Sequence, residues 1–166
     1  IGAFTKSAQF PFHFWLPGAM SAPTPASAYL HSATMVKAGI FLLARLSPVM
    51  YQNDLWSQLL MSVGLSTMFI GAFWAIKQRD LKALLAYSTI SKLGAIVAMI
   101  GLPNQNGLKA AFVGIMAHAL YKSALFLVAG TIDHATGTRI IDKLGGLRKH
   151  MPVMFIVTLI SALSMA

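Results

Sequence analysis

The chain has 166 residues, 57% of them hydrophobic and only 10% charged, with 13 Lys+Arg against 4 Asp+Glu and a net charge of +9. Soluble domains average roughly 25% charged residues, so this composition belongs to the membrane class. No basic stripe interleaves with exposed aromatics, which argues against nucleic-acid binding, and the lack of cysteine excludes disulfides and thiol chemistry.

A spanning helix needs about 20 mostly apolar residues. The pattern predicts an all-α, polytopic transmembrane bundle with five candidate spans and the start of a sixth. The first covers residues 1–16 and is disturbed at Pro11. The second covers about 26–46, after the Pro17-Gly18 and Pro23-Thr24-Pro25 punctuation. The third covers 55–76. The fourth covers 81–102, after the charged turn Lys77-Gln78-Arg79-Asp80. The fifth covers 108–132, after the polar loop Pro103-Asn104-Gln105-Asn106-Gly107. A polar stretch, 136–151, then leads to a sixth apolar run at 152–166, which opens with Pro152. Ile1 is not a start methionine, no signal-peptide pattern is visible, and the last run stops at Ala166. The chain therefore reads as an internal piece, 1–166, of one transmembrane domain of a longer membrane protein.

Basic residues predict the orientation. The 77–82 turn carries three and the 139–149 loop four, against one each at 45–54 and 102–109. The positive-inside rule puts the first two on the cytoplasmic side. The uncharged 17–25 loop falls on that side as well.

Several ionisable groups do not lie in loops. Lys37, Lys92 and Lys122 sit near the middle of their spans, with His118 one turn before Lys122. Lys6 lies in the first span close to Pro11, and His31 in the second. A cation so deep cannot snorkel fully to the headgroups, so it is expected to face the bundle interior. Lysine and histidine are also the side chains best suited to exchanging protons there. His118 and Lys122 are four apart and share one helix face. His31 and Lys37 are six apart, about 120° out of phase on a regular helix. Ser88 and Ser91 flank Lys92 and are candidates to hold a water, and Tyr87 lies one turn away. Asp133 reads equally as a relay exit or as a solvated helix-end acid. His13 and His134 are read as hydrogen-bonded packing residues, and Lys82, Lys109 and Arg45 as helix-end cations. Pro11 removes a helix hydrogen bond, and broken helices beside intramembrane charges mark ion sites in transporters. There is no phosphate loop, nucleophile motif, paired carboxylate or metal-ligand spacing. No catalytic residue, cofactor or metal is therefore expected.

Ordered motifs then point to a family. Lys6-Ser7-Ala8-Gln9-x-Pro11, Trp15-Leu16-Pro17, Ala22-Pro23-Thr24-Pro25 and His31-Ser32-Ala33-Thr34-Met35-Val36 resemble the antiporter-like membrane subunits shared by respiratory complex I and the Mrp cation/proton antiporters. Asp80-Leu81-Lys82, Ala86-Tyr87-Ser88-Thr89, His118-Ala119-x-x-Lys122 and Gly145-Gly146-Leu147-Arg148-Lys149 continue the resemblance. The run from His13 to Met20, with Lys37 after Met35-Val36, is most similar to the A-type subunits of the Mrp branch.

The resemblance implies an inverted-repeat fold with a broken helix near Pro11. It implies a proton relay through Lys6, His31, Lys37, His118 and Lys122. Lys92 stands where the resemblance leads one to expect a neutral polar residue, so its role is open, and Gly114 stands where many complex I relatives have a further histidine. The implied function is exchange of Na+ or another monovalent cation for protons, alongside other subunits of a hetero-oligomeric complex. The implied location is the bilayer of a bacterial or archaeal inner (plasma) membrane, spanned several times. The alternative is a proton-pumping subunit of complex I or a membrane-bound hydrogenase.

Overall fold

A computed structural model describes residues 1–50 and 52–165. The expected first span is not one helix. Helix α1 covers only Gly2–Lys6. The chain then leaves helical geometry, with Ala8 in the left-handed region at φ 51° and a cis Phe10–Pro11 peptide. The freed backbone groups find other partners. Gln9 N–H donates to the Phe4 carbonyl at 2.9 Å and Phe12 N–H to the Gln9 carbonyl at 2.7 Å. Phe10 N–H reaches across to the Thr67 hydroxyl, 57 positions away in sequence, at 2.9 Å. A short α2 (Trp15–Gly18) and a 3-10 turn (Ala19–Ser21) follow.

The second span is a composite rod. It begins as α3 (Thr24–Ser27), widens into a π-helix over Ala28–Thr34, and continues as α4 (Met35–Met50). The Thr34 hydroxyl donates to the Tyr29 carbonyl five residues back, at 3.3 Å, in keeping with the wider turn. His31 lies inside the π-helix and Lys37 beyond it, so regular α spacing does not relate them.

Three long helices follow, each started by a side chain that accepts a backbone N–H. Asn53 accepts from Leu55 N–H ahead of α5 (Asp54–Ile76). Asp80 accepts from Lys82 and Ala83 N–H ahead of α6 (Leu81–Gly101). Asn104 accepts from Gly107 N–H ahead of α7 (Gln105–Thr136). Gly137 ends α7 in the left-handed conformation at φ 69°, which glycine adopts without a Cβ penalty. A 3-10 turn (Ile141–Lys143), α8 (Leu147–His150) and α9 (Pro152–Met165) complete the chain. The composite rod, α5, α6 and α7 are long and apolar enough to cross a membrane. No β-strand occurs among the described residues.

Helix α6 is the centre of the bundle. It packs on α5 along one side and on α7 along another, while α9 and the π-helix lie against α7 and α1 lies against α4. The buried core is built from Leu60, Leu85, Ile90, Leu93, Ile96, Val97 and Phe126, with Val36 and Ile40 from α4.

The two basic loops meet at one end. Leu81 N–H donates to the Arg139 carbonyl at 3.1 Å and Ile141 N–H to the Arg79 carbonyl at 2.9 Å. Two ion pairs, Arg139–Asp80 at 3.0 Å and Arg79–Asp142 at 2.6 Å, flank that bridge. The 17–25 loop joins the same end, because Lys82 Nζ donates to the Ala22 carbonyl at 3.3 Å.

Candidate functional site

The deepest cation is Lys122 on α7, which is fully buried. Its Nζ donates to the Leu85 carbonyl at 3.2 Å and to the Ser88 hydroxyl. The Ser88 hydroxyl in turn donates to the same Leu85 carbonyl at 3.0 Å. The ammonium therefore rests on one turn of α6 and is held entirely by neutral acceptors. Hydrogen bonds of this kind stabilise a charge without cancelling it.

His118 lies one turn earlier on α7 and is also fully buried, and neither ring nitrogen has a hydrogen-bond partner among the described residues. Lys37 enters from α4, 8% exposed, and its Nζ likewise has no partner. Lys92 on α6 is half-buried, with Nζ 3.4 Å from the Met165 carbonyl of α9. Lys122, Lys37 and Lys92 all lie within electrostatic reach of His118, and Lys92 within reach of Lys122. The described ion pairs are both in the basic loops, so no carboxylate side chain among the described residues pairs with this cluster. Its positive charges repel one another across a medium that screens them poorly.

Other candidates fall around this centre. His31 is buried in the π-helix, its Nδ1 without a partner and its ring 6.1 Å from that of Trp15. Lys6 is exposed at the end of α1 and makes no side-chain hydrogen bond or ion pair with a described residue. The structure does not bring it to the lysine–histidine cluster. Helix α1 does pack on α4, where a Cβ at Gly39 would collide with the Ala3 carbonyl oxygen. Pro11 is exposed within the broken segment.

Ser88 and Ser91 line a cavity of about 290 Å³ together with Lys92 and Met165. Tyr87 turns away from the cluster and stacks on Trp74 of α5, with ring centroids 6.3 Å apart. Asp133 is half-buried and lines a separate cavity of about 640 Å³ with Thr24, Thr131 and His134. No group of three or more His, Asp or Glu among the described residues could hold a metal ion.

Three buried polar residues stand out that sequence reasoning passed over or read differently. Tyr121 is 3% exposed, its hydroxyl has no partner among the described residues, and its ring lies nearly perpendicular to that of His118 at 5.6 Å. Its signal in the sequence is position: three residues after a buried histidine and one before a buried lysine. Gln9, fully buried in the broken segment, donates from Nε2 to the Ser7 carbonyl while its Oε1 has no partner. Lys82 is not the snorkelling helix-end cation expected from its place near the start of α6. It is 4% exposed and folds back onto Ala22. Nothing local in the sequence announces a bond to a carbonyl 60 positions away.

Comparison with known proteins gives a family and several close relatives. The family described as NADH:quinone oxidoreductase/Mrp antiporter, transmembrane, matches residues 1–166. The Staphylococcus saprophyticus protein bearing the name antiporter subunit mnhA2 is 57% identical, over 100% of this chain and 23% of its own length. The Na(+)/H(+) antiporter subunit A1 of Staphylococcus aureus is 51% identical, over 100% of this chain and 22% of its own. This chain thus spans about a fifth of the length of these relatives. Among solved structures, the Mrp complex from Dietzia sp. matches with a TM-score of 0.89 at 47% identity, covering 98% of this chain and 20% of that one. A membrane-bound sulfane sulfur reductase, an archaeal respiratory membrane complex, matches with a TM-score of 0.88 at 27% identity, covering 98% of this chain and 34% of that one.

Proposed function

The chain belongs to the NADH:quinone oxidoreductase/Mrp antiporter transmembrane family, and on that premise we propose that it is part of the membrane subunit of a multisubunit antiporter exchanging Na+, or another monovalent cation, for protons. Protons move laterally through Lys122, His118 and Lys37, and His31 and Lys6 extend the row toward the broken segment at Pro11. The subunit works with other subunits of a hetero-oligomeric complex in a bacterial or archaeal plasma membrane. The two basic loops face the cytoplasm.

One observation carries this reading. Lys122 is fully buried against neutral acceptors, with His118 one turn away and two further ammonium groups within reach. A structural cation in hydrocarbon would be expected to pair with a carboxylate. This cluster contains none, so its members compete for protons, as a relay requires. The Ser88 hydroxyl both accepts from Lys122 and donates to Leu85. It can therefore rotate between donor and acceptor roles as a proton arrives and leaves.

The test is Lys122→Ala in the intact parent complex. In inverted membrane vesicles, cation-driven proton flux is expected to vanish while the complex still assembles. Native flux in that variant would sink the relay assignment.

A second reading makes the parent a proton-pumping subunit of a redox complex, and it is supported by the likeness to a respiratory membrane complex at 27% identity. The two readings separate on the driving force. An imposed Na+ or K+ gradient alone moves protons in the first case, and an electron donor is required in the second.

A further inference from the structure

Tyr121 is a buried hydroxyl that the relay as described does not use. It lies on α7 three residues after His118. At about 100° per residue, it stands roughly 60° to one side of His118 on the helix, while Lys122 stands roughly 40° to the other. His118 is thus bracketed on one face by a phenol and an ammonium. The phenol ring meets the imidazole nearly at right angles, 80° between planes with centroids 5.6 Å apart. Perpendicular packing of this kind is a preferred aromatic arrangement and limits rotation of the smaller ring.

Polar pairing adds a second argument. The Tyr121 hydroxyl and both His118 nitrogens are buried and have no partner among the described residues. Buried phenol and imidazole groups in native proteins are almost always hydrogen-bonded, to protein or to ordered water. Three orphaned polar atoms on adjacent side chains are most economically satisfied by a shared bridging water. Tyrosine is suited to this place because it donates and accepts while staying neutral.

We propose that Tyr121 is a positioning residue for His118: its ring holds the imidazole plane, and its hydroxyl, through a bridging water, fixes which ring nitrogen carries the exchangeable proton. This rests on the relay reading. The titratable groups facing His118 are Lys122 on the same helix, Lys37 from α4 and Lys92 from α6. The π-helix packed on α7 adds His31, whereas α9, also packed on α7, carries no titratable side chain. All of the charged neighbours are cationic. The neutral Tyr121 hydroxyl can accept a hydrogen bond on the way from protonated His118 without adding to the repulsion.

Tyr121→Phe in the intact antiporter removes one oxygen and keeps the ring. The expected result is unchanged assembly, cation-driven proton flux roughly 10-fold lower, the size of one hydrogen bond to a charged group, and a displaced pH optimum. Native flux with a native pH profile would overturn the proposal. So would a uniform loss at every pH, which would indicate packing alone. If Tyr121→Phe fails to assemble, 3-fluorotyrosine at position 121 keeps the shape and makes the hydroxyl a stronger acid. The same displacement of the pH profile is then expected, and a native profile overturns the proposal. An inactive Lys122→Ala beside a native Tyr121→Phe removes only the Tyr121 role. A native Lys122→Ala removes the relay itself.

Discussion

The two sides of α6 pack by different rules. Toward α5 the backbones nearly touch. A Cβ at Gly64 would come within 2.5 Å of Ala98 N, one at Gly71 within 2.6 Å of Ser91 N, and one at Gly94 within 2.6 Å of Gly64 O. This is close approach through small residues, the usual way for membrane helices to gain contact where apolar burial offers no advantage over lipid. Toward α7 the helices touch closely only beside their connecting turn, where a Cβ at Gly107 would come within 2.4 Å of Met99 O, and farther along the spacing is ordinary. A Cβ at Gly114 would meet only the Ile96 side chain, Cγ1 at 3.4 Å and Cδ1 at 3.8 Å. Lys122 and His118 lie on this looser side, whereas Lys92 opens onto a cavity that α5 also lines, through Ala72, Ala75 and Ile76. A seam closed by backbone has no room for water or for long polar side chains. A seam held apart by side chains can keep groups that change charge. The bundle is thus closed backbone to backbone along much of one side of its central helix and holds the buried Lys122 and His118 along the other.

The sharpest way to break that contrast is one substitution made on both sides. Gly94→Ala places its methyl against two backbone atoms, Gly64 O and Met68 N, neither of which can swing aside. It is expected to destabilise the purified complex by about 3 kcal/mol, read as a fall in thermal midpoint. Gly114→Ala meets only a flexible side chain and improves helix propensity. It should be neutral or up to about 1 kcal/mol stabilising. Equal losses at the two sites would dissolve the distinction.

A second pair sharpens the chemistry of the looser seam. Ser88→Ala removes an acceptor from Lys122 and should lower proton flux roughly 10-fold with assembly intact. Thr89→Val removes a hydroxyl that donates to the same Leu85 carbonyl at 2.8 Å but does not touch Lys122. Its flux should stay within about twofold of native, since the energetic change is only a few tenths of a kcal/mol. If the two variants behave alike, the Lys122–Ser88 contact is incidental to transport.

The smallest effects are expected at the loops. Asp80→Ala loses the α6 cap and the Arg139 partner and should cost about 1 kcal/mol in thermal stability. Asp142→Asn breaks only the exposed pair with Arg79 and should change stability by less than about 0.5 kcal/mol. An Asp142→Asn loss as large as that of Asp80→Ala would mean that the loop junction is held by charge rather than by capping and backbone bonds.

Much of this was legible in local signals. Apolar runs separated by Lys77-Gln78-Arg79-Asp80 and Pro103-Asn104-Gln105-Asn106-Gly107 locate α5, α6 and α7, because capping residues and turn residues act within a few positions. The pairing of His118 with Lys122 also follows from spacing alone. The rest depends on contacts that sequence distance hides. Pro11 signals a disturbance, but the extent of the non-helical stretch depends on Thr67 receiving Phe10 N–H. The π-helix at Ala28–Thr34 has no breaker inside it, and the 100° rule applied to His31 and Lys37 therefore fails. Lys82 looks like a surface cation until Ala22 is placed beside it. Tyr121 goes unremarked in the sequence until its hydroxyl is found buried and without a partner among the described residues.

The length of α7 has a mechanical consequence. Its 32 residues make a rod of about 48 Å, and a hydrocarbon layer is about 30 Å thick. Such a rod must lean or overhang the layer. His118 and Lys122 straddle its midpoint, the part of the rod that moves least when it leans about its middle. Rocking the rod sweeps the Asn104 and Gly137 ends through wide arcs and leaves the pair at nearly constant depth. His118 and Lys122 thus sit where a lean of this rod about its middle changes their neighbours but hardly their distance from either face.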